Sequence, residues 1–368
     1  MKIIKISVYQ VDLPLRESHY SWAKGKSVSS FDSTIVEIET SLGINGVGEV
    51  CPLGETYLPA FGRGVRAGLE LICPALLQAD PRNTTNINRI MDETLAGHPY
   101  IKSVIDMACW DLKGNYLKTP LYELLGGNQS PPITLYRAIA QLPPKQMTEN
   151  VRKYKAEGYS KFQLKVGGNH RDDINRIKLI RESLSDGEVL VADANTGWLS
   201  HEALQVCNAV KDFDVFIEQP CNEYNDCLLV RRKTSLPFIL DENIRGISEL
   251  IGAYNDQAFD AVNIKISKFG GITKAKLARD ICIELGIPMT IEDTWGSDVA
   301  TSAIVHLAQS TPEEYRFSST DFNSYNTVCT AKNAPFRSNG SIQAADRPGL
   351  GISLNYDAIG QPVRIYEI

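Results

Sequence analysis

Three short apolar runs lie between residues 189 and 241, and each ends in an acidic residue: Val189-Leu190-Val191-Ala192-Asp193, Val215-Phe216-Ile217-Glu218 and Phe238-Ile239-Leu240-Asp241. Continuous aliphatic and β-branched runs of this length are typical of parallel strands that are buried on both faces. A helical stretch follows each run, so this segment predicts repeated strand-helix units.

The pattern continues on both sides of this segment and makes eight runs in total. The other five runs are 133–136, 162–165, 261–265, 288–293 and 315–318. Eight strands that alternate with helices over about 200 residues predict an α/β protein with a (β/α)8 barrel of the TIM type. We assign residues 128–338 to this barrel domain, and the change of pattern falls after Pro131.

The segment before the barrel has a different pattern. Apolar and polar residues alternate over 4–11, 33–40 and 47–50, with Gly43 and Gly46 as turn signals, which predicts an antiparallel meander. Helical spacing follows from Gly62 to Leu125; Asp80-Pro81 is expected to begin one helix and Gly126-Gly127 to end the last. We therefore expect an N-terminal α+β capping domain at residues 1–127, completed by about 339–368.

Composition limits the classes of partner. The 368 residues carry a net charge of −6 with both signs dispersed, so no basic surface for nucleic acid or for a membrane is indicated. No apolar stretch approaches the roughly 20 residues that a membrane span requires. The eight cysteines include no Cys-x-x-Cys pair, which favours a reducing compartment. We expect a cytoplasmic protein that acts on small molecules.

Charged residues end five consecutive predicted strands of the barrel. They are Lys165, Asp193, Glu218, Asp241 and Lys265, at separations of 28, 25, 23 and 24 residues. One such residue alone is more often a solvated strand end or a salt bridge than a functional group. Five at the spacing of the strand-helix unit are expected at one height, on the rim where barrels of this type carry their active sites.

The three acids of this set predict a metal site, and the two lysines predict proton transfer. Three neighbouring carboxylates repel one another unless a cation lies between them, and an all-oxygen donor set selects a hard ion such as Mg²⁺. The lysines flank the acids in chain order, so in a closed barrel they approach the centre from opposite sides. A metal ion and two lysines suit removal of a proton alpha to a carboxylate, because the resulting enediolate concentrates negative charge.

These residues resemble those of the enolase superfamily, in its mandelate racemase and muconate lactonizing subgroup. The resemblance extends over essentially the whole chain and includes the strings 105–114 and 263–271. It implies that Asp193, Glu218 and Asp241 bind Mg²⁺ and that Lys165 and Lys265 are the catalytic acid/base pair. One departure is Gln163, which stands where the subgroup usually has the first lysine of a Lys-x-Lys pair.

The resemblance also indicates a substrate class. Gln163-Leu164-Lys165 and Asp293-Thr294-Trp295 are similar to the branch that acts on proline derivatives, and the strings 192–198 and 319–325 look most like its dehydratases. This implies dehydration of cis-3-hydroxy-L-proline to Δ1-pyrroline-2-carboxylate, with some 2-epimerisation. The alternative within the family is a 2-epimerase of proline betaine or hydroxyproline betaine.

Six residues are candidates for substrate binding. Asp293 and the indole of Trp295 would suit a compact ammonium group. Asn195 lies two residues after Asp193. The other three candidates lie in two predicted cap loops and are Tyr20, Trp22 and Tyr57. Aromatic residues in loops pack a domain interface as readily as they bind a ligand.

Two functions of other classes stay open. One is a barrel that binds metal and ligand without turnover, which a missing lysine or acid would have favoured. The other is a metal-dependent hydrolase, which normally needs histidine ligands, whereas the five histidines form no metal-binding motif. The resemblance further implies a homo-oligomer.

Overall fold

The computed structural model describes residues 1–129 and 132–368. Pro131, where the sequence predicts the change of pattern, lies outside these ranges. Two sheets organise the chain: a four-stranded antiparallel sheet and an eight-stranded parallel sheet. The other strands of the described residues form two-stranded sheets, and we call the unit built on the four-stranded sheet the cap.

The N-terminal part of the cap, residues 1–127, forms five strands and four α-helices. The strands are β1 (Ile3–Pro14), β2 (Tyr20–Trp22), β3 (Lys26–Val28), β4 (Ser30–Thr40) and β5 (Asn45–Val50), and the helices are α1 (Gly62–Leu76), α2 (Thr84–Thr94), α3 (Pro99–Leu117) and α4 (Leu121–Leu124). Strands β1, β4 and β5 pair in sequence, as the alternating pattern predicts. Helix α2 begins later than expected from Asp80-Pro81, because the Asn83 side chain accepts the Asn86 N–H and caps the helix there.

The glycine at 46 has a different role from the turn that the sequence suggests. Gly46 and Gly48 lie within β5, and a Cβ atom on them would lie 2.3 Å from the Ala108 carbonyl oxygen and 2.1 Å from that of Val104. Helix α3 therefore packs directly on the backbone of β5. This close approach requires residues without side chains on that face.

The barrel follows the predicted alternation of strands and helices. Its strands are β7 (Tyr136–Ile139), β8 (Lys161–Lys165), β9 (Val189–Asp193), β10 (Phe216–Glu218), β11 (Phe238–Leu240), β12 (Ala261–Lys265), β13 (Met289–Glu292) and β14 (Arg316–Ser319). Its helices are α5 (Pro144–Ala156), α6 (His170–Ser183), α7 (Ser200–Ala209), α8 (Tyr224–Arg231), α9 (Ile247–Asn255), α10 (Ile266–Phe269), α11 (Ile272–Glu284) and α12 (Asp298–Gln309). The fold class predicted from the sequence is confirmed.

Seven parallel pairings join neighbouring strands, and a bridge between Leu135 and Ser319 connects the first strand region to the last. The first barrel strand lies three residues later than predicted. Residues 133–134 instead form a short strand, β6 (Ile133–Thr134), that pairs antiparallel with β16 (Ser341–Ile342). The apolar run could form either strand, and the pairing partner, which lies more than 200 residues away in the sequence, decides between them.

The C-terminal segment returns to both units. Strand β15 (Ala331–Lys332) pairs with β17 (Ser353–Leu354), helix α13 (Tyr356–Ile359) follows, and β18 (Arg364–Glu367) pairs antiparallel with β1 as an edge of the cap sheet. The boundaries of the two domains stay a prediction.

Two further findings concern the chain as a whole. All eight cysteines are unpaired, and seven of them are buried. Across residues 1–129 and 132–368, none of the helices combines the length and the apolar character needed to cross a bilayer.

Candidate active site

A cavity lies at the carboxyl ends of the barrel strands, beneath the cap. Eight of the predicted site residues line it: Tyr20, Trp22, Tyr57, Lys165, Asn195, Lys265, Asp293 and Trp295. Further lining residues are Leu53 of the cap and several residues of the barrel domain, which include Tyr136, Gln163, Glu292 and Phe322. The residues come from sequence positions as distant as 20 and 322, so the cavity exists only in the folded chain.

Register explains why the strand-end residues meet. Lys165 is the pairing partner of Asp193, and Asp193 is the partner of Glu218. Because paired residues on parallel strands lie at the same height, these three side chains share one layer of the barrel. Strands β8 and β12 are four positions apart in the eight-stranded order, so Lys165 and Lys265 stand on opposite sides of the barrel.

The three predicted metal ligands are buried. Asp193 and Asp241 are fully buried and Glu218 is 2% exposed. Two neutral amides hold Glu218: Gln163 Nε2 donates to Oε2 at 3.0 Å and Asn263 Nδ2 donates to Oε1 at 2.7 Å. Burial raises the pKa of Glu218, and the nearby charge of Asp193 raises it further. A nearby positive charge would therefore stabilise the ionised form of Glu218.

The two lysines pair with the two aspartates. Lys165 Nζ donates to Asp193 Oδ2, and Lys265 Nζ lies 2.5 Å from Asp241 Oδ2. Burial alone would lower the pKa of each lysine, but the facing aspartate and the other acidic groups nearby together outweigh burial and raise it. Each lysine is thus paired with one aspartate of the carboxylate cluster, Lys165 with Asp193 and Lys265 with Asp241.

A third lysine, which sequence reasoning missed, contacts the same cluster. Lys268 is 3% exposed, and its Nζ lies 2.7 Å from Asp241 Oδ1 and 2.6 Å from the Asp241 carbonyl oxygen. Burial would raise the pKa of Asp241, but Lys265 and Lys268 outweigh burial and lower it. The sequence contains a signal for this residue, because Lys268 follows the strand-end Lys265 by three positions. It lies in the short helix α10, which begins directly after the strand.

A sixth charged strand end was also missed. Glu292 ends β13 and is the pairing partner of Lys265, 27 residues further along the chain. Its Oε2 accepts a hydrogen bond from the Tyr136 hydroxyl, and its Oε1 lies 3.7 Å from Lys265 Nζ. The regular spacing of the strand ends could have identified Glu292, because 27 residues continue the earlier series.

The chemistry of the acids fits Mg²⁺. They supply only oxygen donors, they are buried on adjacent strands, and their mutual repulsion is reflected in the raised pKa of Glu218. In this structure, Asp193 and Asp241 form ion pairs with lysine ammonium groups. Within the described ranges, no three histidine, cysteine or acidic side chains are arranged to hold a metal ion in this lysine-paired state.

Asp293 and Trp295 follow β13 at the edge of the cavity. Asp293 Oδ1 accepts hydrogen bonds from the Thr294 N–H at 2.7 Å and from the Ser267 hydroxyl, and burial raises its pKa to about 6. The Trp295 ring stacks on Phe31 at a centroid distance of 4.2 Å and lies 5.2 Å from Tyr20. Both residues therefore contribute to packing as well as to the cavity wall.

Asn195 and Tyr57 contact the charged cluster directly. Asn195 adopts a φ of 40°, donates its N–H to Asp193 Oδ1 at 2.8 Å and donates Nδ2 to Glu242 at 3.1 Å. The Tyr57 hydroxyl lies 3.0 Å from Asp241 Oδ2 and 2.8 Å from Lys265 Nζ. A cap loop thus reaches the centre of the site.

Comparisons with known proteins agree over the whole chain. Residues 4–126 match the mandelate racemase/muconate lactonizing enzyme N-terminal domain, and residues 146–358 match the enolase C-terminal domain-like family. The chain is 56% identical to a cis-3-hydroxy-L-proline dehydratase of Roseibium aggregatum, with 100% of both chains covered. It is 32% identical to an N-succinyl-L-Arg/Lys racemase of Bacillus cereus, with 100% of this chain and 99% of the relative covered.

A solved structure also matches this chain over its whole length. A member of the enolase superfamily from Roseovarius nubinhibens, crystallised in complex with magnesium, is 36% identical, has a TM-score of 0.94 and is covered over 100% of both chains.

Proposed function

The chain belongs to the mandelate racemase/muconate lactonizing enzyme family of the enolase superfamily, and on that basis we propose that it is a Mg²⁺-dependent dehydratase of cis-3-hydroxy-L-proline. The product would be Δ1-pyrroline-2-carboxylate. The observation that carries the proposal is the position of Lys165 and Lys265 on opposite sides of a buried cluster of three carboxylates. The full-length identity of 56% to a dehydratase of this substrate supports the choice of reaction.

The stereochemistry of the substrate suits two opposed lysines. In cis-3-hydroxy-L-proline the hydroxyl and the carboxylate lie on the same ring face, so the alpha proton and the hydroxyl lie on opposite faces. Both lysines are paired with aspartates in the structure, and these aspartates would release them on binding Mg²⁺. One lysine, in its neutral amine form, takes the alpha proton, and the electron pair of that C–H bond forms the C2–C3 double bond. As the C3–O bond breaks, the other lysine gives a proton to the leaving hydroxide, and water departs.

Tautomerisation of the product and stabilisation of the developing charge complete the proposed reaction. The enamine that results from loss of water tautomerises to the cyclic imine. Asp193, Glu218 and Asp241 would hold the Mg²⁺ ion, which supplies positive charge against the negative charge that develops on the substrate carboxylate. Gln163 and Asn263 would keep Glu218 oriented for this task without adding charge.

The cap would exclude water from the reaction. Tyr20 and Trp22 lie on strand β2 rather than in a loop as the sequence suggests, and they line the cavity together with Tyr57 from the loop between β5 and α1. The hydroxyl of Tyr57 lies against Lys265. Removing water strengthens the electrostatic interactions of the charged groups.

The alternative within the family is 2-epimerisation of proline betaine or hydroxyproline betaine. It needs the same two lysines but no leaving group, and racemases occur among the relatives. The two activities differ in product, because only dehydration yields the imine.

Proton NMR in D₂O tests the proposal. Wild-type protein with Mg²⁺ is expected to remove the alpha-proton signal of cis-3-hydroxy-L-proline and to form the imine, and EDTA is expected to stop both changes. Exchange at the alpha carbon of the betaines without imine formation would favour the epimerase. Retention of the alpha proton in every proline derivative would contradict the proposal.

A further inference from the structure

Glu292 is a buried acid in the wall of the candidate active site that the proposed reaction does not use. It is 2% exposed, it lines the cavity, and it lies at the height of Lys265 because the two residues are paired between β12 and β13. It stands on the far side of Lys265 from the three carboxylates, since β13 follows β12 in the strand order.

The two oxygens of Glu292 differ in their surroundings. Oε2 accepts the hydroxyl hydrogen of Tyr136, whereas Oε1 has no hydrogen-bond partner among the described residues. Lys265 Nζ lies 3.7 Å from Oε1, which is beyond the range of a normal hydrogen bond. A buried carboxylate oxygen without a donor is costly, so its place in a cavity wall indicates a donor on the ligand.

Asp293, the other acid of the cavity wall, is already hydrogen-bonded. Its Oδ1 accepts from the Thr294 N–H and the Ser267 hydroxyl, and both of its oxygens lie 3.2 Å from the Ser267 nitrogen. Of the two acids in this wall, Glu292 therefore has the oxygen that is available to a ligand.

We propose that Glu292 Oε1 accepts an N–H from the ring ammonium group of the substrate and thereby selects secondary or tertiary amines over quaternary betaines. The inference rests on the proposed function, because an alpha-amino acid held between Lys165 and Lys265 carries its nitrogen one bond from the reacting carbon. A quaternary nitrogen has no N–H and leaves Oε1 without a donor. Glu292 is then the residue that separates the free imino acids from the betaines.

Wild-type protein provides the first test, through alpha-proton exchange in D₂O with L-proline, N-methyl-L-proline and proline betaine. Their cationic nitrogens carry two, one and no N–H groups. We expect similar KM values for the first two and a KM about tenfold or more higher for the betaine, the scale of a lost charge-assisted hydrogen bond. A betaine KM equal to or below that of L-proline would overturn the inference.

Glu292→Gln provides the second test, because it keeps the shape of the side chain and removes its charge. We expect the KM for L-proline to rise about tenfold or more while the KM for the betaine changes much less. Equal KM changes for both ligands, or a fall in kcat with unchanged KM, would overturn the inference and assign Glu292 to the positioning of Lys265. Glu249→Gln, at an exposed glutamate, is the matched control.

The two proposals fail in different ways. If wild-type protein and Glu249→Gln exchange the alpha proton of none of the ligands and leave cis-3-hydroxy-L-proline unchanged, the proposed function is wrong. If both proteins are active and the KM values do not depend on the number of N–H groups on the ligand, only the assignment of Glu292 is wrong. Should Glu292→Gln fail to fold, the wild-type ligand series decides.

Discussion

The hydroxyl group of Tyr57, on the cap loop between β5 and α1, lies 2.8 Å from Nζ of Lys265, at the end of barrel strand β12. The same hydroxyl lies 3.0 Å from Asp241 Oδ2, so one cap residue contacts both a predicted acid/base lysine and a predicted metal ligand. These contacts join residues 208 and 184 positions apart. The position of this cap loop and the orientation of Lys265 and Asp241 are therefore coupled through the Tyr57 side chain.

Tyr57→Phe tests this coupling. Loss of the hydroxyl should free the Lys265 ammonium group from one of its partners and lower kcat/KM by about tenfold, the scale of one hydrogen bond to a charged group. Steady-state kinetics with cis-3-hydroxy-L-proline measures the effect. Tyr254→Phe, at an exposed tyrosine, should leave kcat/KM unchanged; a Tyr57→Phe variant with wild-type kinetics would show that the hydroxyl has no role.

Lys165→Ala and Lys265→Ala should each lower kcat by about 100- to 10,000-fold, because each removes one of the two proton-transfer groups. The measurement is imine formation, with circular dichroism to verify the fold. Lys233→Ala, at an exposed lysine, is the control. Activity within a few-fold of wild type in either site variant would rule out the acid/base pair.

Gln163→Leu should weaken Mg²⁺ binding. The variant removes one of the two amide donors that hold Glu218, and loss of a residue that orients a metal ligand typically costs about 10- to 100-fold in metal affinity. Calorimetric titration with Mg²⁺ gives the affinity directly, independent of turnover. Gln361→Leu, exposed near the C-terminus, should bind Mg²⁺ as wild type does, and equal affinities for all three proteins would contradict the role of Gln163.

His306 should make the protein less stable below neutral pH. Its Nδ1 accepts the Tyr122 N–H at 3.1 Å, and burial lowers its pKa from 6.5 to about 4. The unfolded chain therefore binds a proton at His306 between these pH values while the folded chain does not. The free energy of unfolding should fall as pH falls from about 6.5 to about 4, by up to ~3 kcal/mol from this residue.

Urea unfolding at a series of pH values measures the effect of His306. In His306→Asn the amide oxygen can accept the Tyr122 N–H and does not titrate, so the slope between pH 6.5 and pH 5 should flatten. His201→Asn, at an exposed histidine, should retain the wild-type slope. An unchanged slope in His306→Asn would disprove the assignment.

Gly48→Ala should destabilise the cap. The new Cβ would lie 2.1 Å from the Val104 carbonyl oxygen, which forces β5 and α3 apart at a cost of about 1–3 kcal/mol. Gly252→Ala is the matched change in open space within α9, where alanine should stabilise the helix by up to about 1 kcal/mol. Thermal unfolding should move the melting temperature in opposite directions, and equal shifts would refute the packing argument.

The barrel and the ring of strand-end charges could be predicted from the sequence because both depend on local, repeated patterns. Each strand is an apolar run, each run is followed by a helix, and the run ends in a residue such as Asp193 or Lys265. Parallel pairing then brings these ends to one height whatever the details of packing. A regular spacing in the sequence becomes a regular position in space.

Tertiary structure alone decided how the side chains pair. Lys268 contacts Asp241, and Glu292 has one oxygen held by Tyr136 and the other without a donor among the described residues. The first barrel strand begins at Tyr136 because Ile133 pairs with the C-terminal segment. Such contacts join residues up to about 200 positions apart, and their energies depend on burial and on neighbouring charges that no local pattern records.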